Sequence, residues 1–171
     1  MKMIKITLVS AMMFFTAVSI AQTENIVGVA AGNENFSTLV TAVKTAGLVE
    51  TLSSEGPFTV FAPTNDAFAK LPDGTVTSLL MPASKNDLTS ILTYHVVAGK
   101  FEAAAVIDAI NSNNGIFKVK TVQGDEISLS LKGENVILTD AAGGSSTVVI
   151  ADVAASNGVI HAIDSVVMPS K

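Results

Sequence analysis

Apolar residues recur at helical spacing through much of the first half of the chain. The segment NFSTLVTAVKTAG places apolar side chains three and four residues apart, which predicts an amphipathic helix that ends at Gly47. LVETLSSEG predicts a second short helical piece before Gly56 and Pro57 break the chain. SKNDLTSILTYHV and FEAAAVIDAI predict two more helices, the latter before the Asn-rich turn NSNNG. The first half is therefore predicted to be mainly helical.

One short strand interrupts this helical half. Residues 58–62, FTVFA, form an apolar and β-prone run, which predicts a strand covered on both faces. Pro63 ends it, and residues 64–66, Thr-Asn-Asp, offer capping side chains for a helix that stops at Pro72. Capping explains these polar residues better than a ligand site does.

The pattern changes to alternating and β-branched runs from Ile116 onward. Five runs predict strands, with Gly, Asn and Asp between them: IFKVKTV, EISLSLKG, NVILTD, STVVIADV and GVIHAIDSVVM. The loop DAAGGSS predicts an exposed turn. With no repeat and no Pro- or Ser-rich linker, the pattern predicts one α+β domain of helices followed by mostly antiparallel strands.

The start of the chain has the features of a secretory signal. Two lysines precede a short apolar run, and the small residues Ser19 and Ala21 follow at the spacing of a cleavage site. The run is too short to span a bilayer. We therefore predict a signal peptide over residues 1–21, a mature domain over residues 22–171, and a secreted protein, periplasmic or extracellular.

Composition narrows the classes of partner. Removing the leader takes away two lysines and no acid, so the net charge falls from −5 to −7, and all ten basic residues of the chain are lysines. An acidic chain without arginine is poorly suited to nucleic acid. The absence of cysteine excludes disulfides and thiolate chemistry. The absence of tryptophan disfavours a lectin that stacks sugars on aromatic rings, although hydrogen bonds can also hold sugars.

The only histidines, His95 and His161, are the candidate bases for chemistry. His95 shares a helical stripe with Leu88, Ile91 and Leu92, so we expect it on the buried face. His161 and Asp164 point to opposite faces of an ideal strand and do not form a ready dyad. No nucleophile elbow or metal-binding helix motif appears, and NSNNG lacks the acids of a calcium loop. We assign no catalytic residue, metal site or cofactor.

Three stretches together resemble the fasciclin domain family: GPFTVFAPTNDAF at residues 56–68, LTYHVV at residues 92–97 and NGVIHAIDSVVMP at residues 157–169. Each stands in the family's order and at about its spacing. The resemblance implies a wedge-like or sandwich-like β core flanked by several helices. It also implies a secreted or surface module that adheres to a protein or polysaccharide. Two alternatives stay open: an extracellular hydrolase that uses His95 or His161, and a carrier of a small molecule or lipid.

The resemblance also points to four candidate partner-binding residues. Tyr94 and His95 match a Tyr-His pair that is associated with adhesion in some animal members. Asp152 and Val153 stand where certain adhesive members carry Asp-Ile, while Ile150 and Ala151 replace the acidic-proline pair that precedes it there. Because the helical stripe places His95 on the apolar face, we expect the Tyr-His pair to be mainly structural. The open question is whether this pair contacts a partner directly or shapes the surface that does.

Overall fold

A computed structural model describes residues 24–170 of the protein. The predicted signal peptide and its cleavage site before Gln22 lie outside these residues and remain predictions. Seven α-helices and two 3₁₀ turns occur within the described range. The helices are α1 (Ile26–Ala31), α2 (Ser37–Ala46), α3 (Val49–Ser53), α4 (Asn65–Ala69), α5 (Thr75–Leu79), α6 (Lys85–Tyr94) and α7 (Ala103–Ser112). The 3₁₀ turns are Glu34–Phe36 and Pro82–Ser84.

The predicted helix stripes are largely confirmed. In α2 every apolar side chain of the predicted stripe from Phe36 to Ala46 is buried, and Gly47 closes the helix at a φ of 72°, where glycine carries no steric penalty. At the start of α4, the Oγ1 of Thr64 accepts the N–H of Ala67, as the capping prediction requires. Asn65 instead caps a different helix, because its Oδ1 accepts the N–H of Thr38 in α2.

Seven strands form one mixed sheet: β1 (Phe58–Pro63), β2 (Val96–Ala98), β3 (Ile116–Lys120), β4 (Glu126–Lys132), β5 (Asn135–Thr139), β6 (Ser145–Ala155) and β7 (Gly158–Ile163). Their order is β2-β1-β7-β6-β5-β4-β3. The β1–β7 pair is parallel and the other pairs are antiparallel. A bridge between Val97 and Thr121, beside a 2.8 Å hydrogen bond from Val122 N to Val96 O, nearly closes the sheet. The α+β prediction is confirmed.

At two boundaries a hydrogen bond explains a difference from the sequence prediction. Helix α6 ends at Tyr94, because the carbonyl of His95 accepts the N–H of Phe61 at 2.9 Å and draws the following valines into β2. The last strand ends at Ile163 and not at Met168, because the next residue, Asp164, accepts the N–H of Thr147. The loop at residues 141–145 is exposed as predicted, but Asp140 at its base is buried.

The sheet separates two apolar cores. One core lies between helices α1, α2, α3 and α6 on one side and strands β1 and β7 on the other. It includes Phe36 and Ile160. The other lies inside the curved part of the sheet under α7, and it includes Phe61, Tyr94 and Ile110. Consecutive residues of β1 therefore serve opposite cores, which explains why its whole apolar run is buried.

Two glycines explain the family-like motifs at the start of β1 and β7. A Cβ on Gly56 would overlap the carbonyl oxygen of Asn157, and a Cβ on Gly158 would overlap the carbonyl oxygen of Phe58. Asn157 holds this junction together, because its side chain accepts the N–H of Ile26 and donates to the carbonyls of residues 52 and 54. The two motifs thus form one close backbone contact between neighbouring parallel strands.

Candidate functional site

Tyr94, the last residue of α6, lies entirely inside the protein. Its hydroxyl donates to the carbonyl of Glu126 at 3.1 Å and accepts the N–H of Ala141 at 3.0 Å. Burial raises the pKa of the phenol above its ordinary value, so the group stays neutral at physiological pH. Tyr94 therefore joins the end of α6 to the start of β4 and to the turn after β5.

His95 also has no exposed surface. Its Nδ1 donates to the carbonyl of Ile91 at 2.7 Å, and its Nε2 accepts the N–H of Val167 at 3.3 Å. A carbonyl can only accept, so this pair of contacts assigns the neutral tautomer with its proton on Nδ1. Burial lowers the pKa of His95 to about 4, against smaller opposing effects from the Ile91 carbonyl and Asp140. The imidazole thus acts as a neutral connector between α6 and the segment after β7.

His161 lies in β7 and is 2% exposed. It faces Phe61 of the neighbouring strand, with ring centroids 5.8 Å apart and ring planes 28° apart. Its Nε2 donates to the carbonyl of Phe101 at 2.6 Å, and its Nδ1 accepts the N–H of Asp152 at 3.2 Å. His161 therefore links β7 to the loop before α7 and to the irregular part of β6.

Asp152 lies on the surface, where β6 departs from regular pairing. The register between β6 and β7 shifts twice, between Val148 and Ile150 and between Ile150 and Val153. Within this bulge Asp152 adopts a φ of 58°, which is uncommon outside glycine. Its Oδ1 accepts the N–H of Ala103 at 2.8 Å, which satisfies a free amide in the first turn of α7. Side-chain and backbone contacts together fix the unusual conformation.

The two candidate pairs therefore occupy different environments. Tyr94 and His95 are completely buried, Asp152 is exposed and Val153 is half-buried. The two pairs are connected through β1. The carbonyl of His95 accepts the N–H of Phe61, and the ring of Phe61 lies against His161. Nδ1 of His161 accepts the N–H of Asp152. In this conformation Tyr94 and His95 support the fold. A role for any of the four residues in binding a partner stays a prediction.

Thr59 belongs to the same network and was missed from the sequence. Its hydroxyl is buried in β1, donates to the carbonyl of Gly99 at 2.7 Å and accepts the N–H of Phe101 at 2.8 Å. It thereby positions the carbonyl of Phe101 for His161. The available signal was one hydroxyl within the otherwise apolar run FTVFA, because a buried polar side chain requires a partner.

A groove of about 180 Å³ lies beside the bulge, between α7 and strands β5 and β6. Its lining includes Phe61, Val106, Ile107, Val136 and His161. On β6 itself, Val149 is 53% exposed and Ile150 is 44% exposed. We call the exposed β6 residues Val149, Ile150, Ala151 and Asp152, together with this groove, the bulge surface. It combines an exposed apolar side chain that lines the groove, Val149, with the carboxylate of Asp152 held by the Ala103 amide.

Neither imidazole is arranged as a catalytic base. Both ring nitrogens of His95 and of His161 are hydrogen-bonded to backbone groups. Within residues 24–170 no serine, threonine, aspartate or glutamate side chain is hydrogen-bonded to either ring. A base needs a free nitrogen near a nucleophile and usually a third group that orients it. The arrangement therefore does not favour the hydrolase alternative.

The space between the helices and the sheet is also small. The apolar cavity there, which Leu39, Leu92 and Ile160 help to line, measures about 20 Å³. That is room for roughly one water molecule. A lipid or drug-sized ligand requires a pocket of about 300 Å³ or more, so the carrier alternative is not favoured either.

No helix of residues 24–170 is long and apolar enough to cross a membrane. In the same range, no three or more carboxylate or imidazole side chains are grouped so that they could hold a metal ion.

Comparison with known proteins agrees with this architecture. The sequence profile of the fasciclin domain matches residues 34–169. The chain belongs to the fasciclin domain family. It is 56% identical over 144 residues to the protein sll1483 of Synechocystis, covering 84% of this chain and 73% of that one. It is also 34% identical to the cell surface glycolipoprotein MPB83 of Mycobacterium bovis, over 82% of this chain and 58% of that protein.

A solved structure has the same fold. The chain superimposes on a FAS1 domain pair from the insect cell adhesion molecule fasciclin I with a TM-score of 0.73. The match covers 83% of this chain and 50% of that one, at 18% identity. At that identity the likeness concerns the fold alone. The names of these two relatives describe a cell-surface protein and an adhesion molecule, and neither names a reaction.

Proposed function

We propose that this fasciclin-family protein is a secreted, periplasmic or extracellular, adhesion module that binds a protein or polysaccharide surface and performs no reaction. The bulge surface carries the proposal. Val149 and Ile150 are two of the five large apolar side chains that are strongly exposed among the described residues, and they are neighbours in sequence. Of the two, Val149 lines the groove, and an exposed apolar side chain at a groove is a plausible contact for a partner.

Rigidity of the bulge supports this choice. Asp152 is held by the Ala103 amide through its side chain and by His161 through its backbone. A surface that is already ordered before binding loses less conformational entropy when the partner arrives. We propose that Asp152 and its neighbour Val153 contact the partner at this surface, whereas Tyr94 and His95 support the fold.

The test is affinity capture with the mature protein from native cell envelope and culture medium, in parallel with an array of polysaccharides. The variant Val149→Asp introduces a charge into the bulge surface. The matched control Met81→Asp makes the same change at a residue that is 52% exposed after α5. Both substitutions are at exposed sites, so we expect little change in folding stability.

The proposal predicts that wild type and Met81→Asp retain the same partner, while Val149→Asp loses it. Equal retention by all three proteins would contradict the assignment of partner binding to the bulge surface. Retention of no protein or polysaccharide by wild type, at low and moderate salt, would contradict the adhesion function itself.

A further inference from the structure

The segment that follows β7 is attached to the domain in an unusual way. We call its residues Val167, Met168, Pro169 and Ser170 the strap. Val167 N–H donates to Nε2 of His95 at 3.3 Å, and Met168 N–H donates to Oδ2 of Asp140 at 2.9 Å. Pro169 has no N–H to donate. The backbone N–H groups of Val167 and Met168 therefore both donate to a group that can take up a proton.

Ser170 repeats the pattern. Both its N–H, at 3.1 Å, and its hydroxyl, at 2.7 Å, donate to Oδ2 of Asp125. Two residues before the strap the acceptor is different, because the N–H of Ser165 donates to the hydroxyl of Ser146 at 3.1 Å. A hydroxyl does not titrate in the accessible pH range. The chain thus passes from attachment to a hydroxyl, which is itself 3.3 Å from Oδ1 of Asp164, to three residues that donate directly to titratable groups.

We propose that acid detaches the strap from the rest of the domain while the sheet remains folded. A proton on Nε2 of His95 would face the N–H of Val167. Two donors cannot form a hydrogen bond, and the bond between Val167 and His95 is therefore lost. Protonation of Asp125 or Asp140 removes the negative charge that strengthens the bonds to Ser170 and Met168. All three changes act in the same direction as the pH falls.

The charged surroundings agree with this direction. The titratable side chains that contact the strap or line its cleft are His95 just after α6, Asp87 of α6, Asp125 from the turn before β4, and Asp140 from the turn after β5. Tyr94, which interacts with Asp125 and Asp140, stays neutral. No ion pair of Asp87, Asp125 or Asp140 with a lysine occurs among residues 24–170. The acceptors thus depend on their own ionisation and hydrogen bonds for stability.

Release would uncover a definite surface. Met168 and Pro169 line a cleft with Ile91 of α6 and with Ala141 and Ala142 of the turn after β5. The same movement removes the partner of His95 at the end of α6. Acid would therefore expose apolar surface next to the Tyr94–His95 pair, which is fully covered when the strap is attached.

Amide hydrogen exchange of the ¹⁵N-labelled full chain tests the proposal, at about pH 7 and about pH 4, with correction for the intrinsic exchange rate at each pH. The protection of Val167, Met168 and Ser170 should fall by about tenfold or more in acid, since each loses a charge-assisted or buried hydrogen bond. Ser165 and the amides of β7 should lose less protection than the strap, and no more than the decrease in global stability at the lower pH accounts for. Unchanged protection of the strap would overturn the proposal, and so would an equal loss of protection in the strap and in the β7 amides.

A pair of variants tests the same contacts at about pH 7. Asp125→Ala removes the acceptor of Ser170 and should raise its exchange about tenfold. Asp87→Ala removes the same charge from the cleft that the strap lines, but no hydrogen bond joins Asp87 to the strap. It should leave Ser170 unchanged. Equal exchange of Ser170 in the two variants would overturn the attachment described here.

Discussion

The backbone N–H of Asp152 donates to Nδ1 of His161 across 3.2 Å, so a fully covered imidazole fixes the exposed bulge of β6. The same ring donates through Nε2 to Phe101, in the loop that leads to α7. His161 thus sets the relative position of the two walls of the groove. The surface that we propose for binding therefore depends on a side chain that is itself almost completely buried.

Replacing His161 with phenylalanine isolates this connection. His161→Phe keeps an aromatic ring against Phe61 but leaves the Phe101 carbonyl and the Asp152 N–H without partners. We expect a loss of about 1 to 3 kcal/mol in the free energy of unfolding, measured by urea denaturation. We also expect faster hydrogen exchange at the Asp152 amide. A variant as stable as wild type would show that the two hydrogen bonds do not hold the bulge.

The burial of His95 predicts a dependence of stability on pH. The pKa of His95 is about 4 in the folded protein and about 6.5 when unfolded, so the unfolded chain binds the proton more readily. The contribution of His95 is therefore complete above about pH 6.5 and decreases as the pH falls toward about 4. The full change is about 3 kcal/mol.

Two measurements check this effect. Urea denaturation across that pH range gives the stability, and the NMR titration of the His95 Cε1–H separates its protonation from that of the carboxylates. An imidazole of His95 that titrates near pH 6.5 in the folded protein would contradict the prediction.

Tyr94→Phe removes one oxygen and keeps the ring in the core. The carbonyl of Glu126 and the N–H of Ala141 both lose their partner, so we expect a decrease of about 1 to 2 kcal/mol in the free energy of unfolding. Thermal unfolding and the exchange rate of the Ala141 amide provide the measurements. If exchange at Ala141 does not change, the hydroxyl does not hold the turn after β5.

Gly158→Ala should prevent the close pairing of β1 with β7. The new Cβ would overlap the backbone of Phe58, which cannot move away without breaking the strand pair. We expect a loss above about 3 kcal/mol or a failure to fold. The matched control is Gly32→Ala, where the nearest atom to a Cβ is 3.6 Å away. Equal stability of the two variants would refute the steric explanation of the motif.

Local patterns predicted much of this structure. The α6 stripe predicted the burial of His95, and alternation after Ile116 predicted strands β3 to β6. Both signals depend on residues a few positions apart, where periodicity directly reports which face is covered. The cap at Thr64 was equally local.

The arrangement of the bulge was not predictable in the same way. His161 meets the loop at Phe101 across 60 positions of sequence, and Asp152 meets the start of α7 across 49. Such contacts depend on how the sheet nearly closes, which no short pattern contains. The left-handed conformation of Asp152 is likewise imposed by its tertiary partners.

The central claim is that the bulge surface binds while Tyr94 and His95 only support the fold. The most direct test measures, on the same captured partner, both dissociation constant and stability for Tyr94→Phe and Val149→Asp. We predict that Tyr94→Phe lowers stability and leaves Kd unchanged at a temperature where the protein is folded. Val149→Asp should leave stability unchanged and weaken binding by about tenfold or more. The reverse pattern, with Kd sensitive to Tyr94 and insensitive to Val149, would contradict this account.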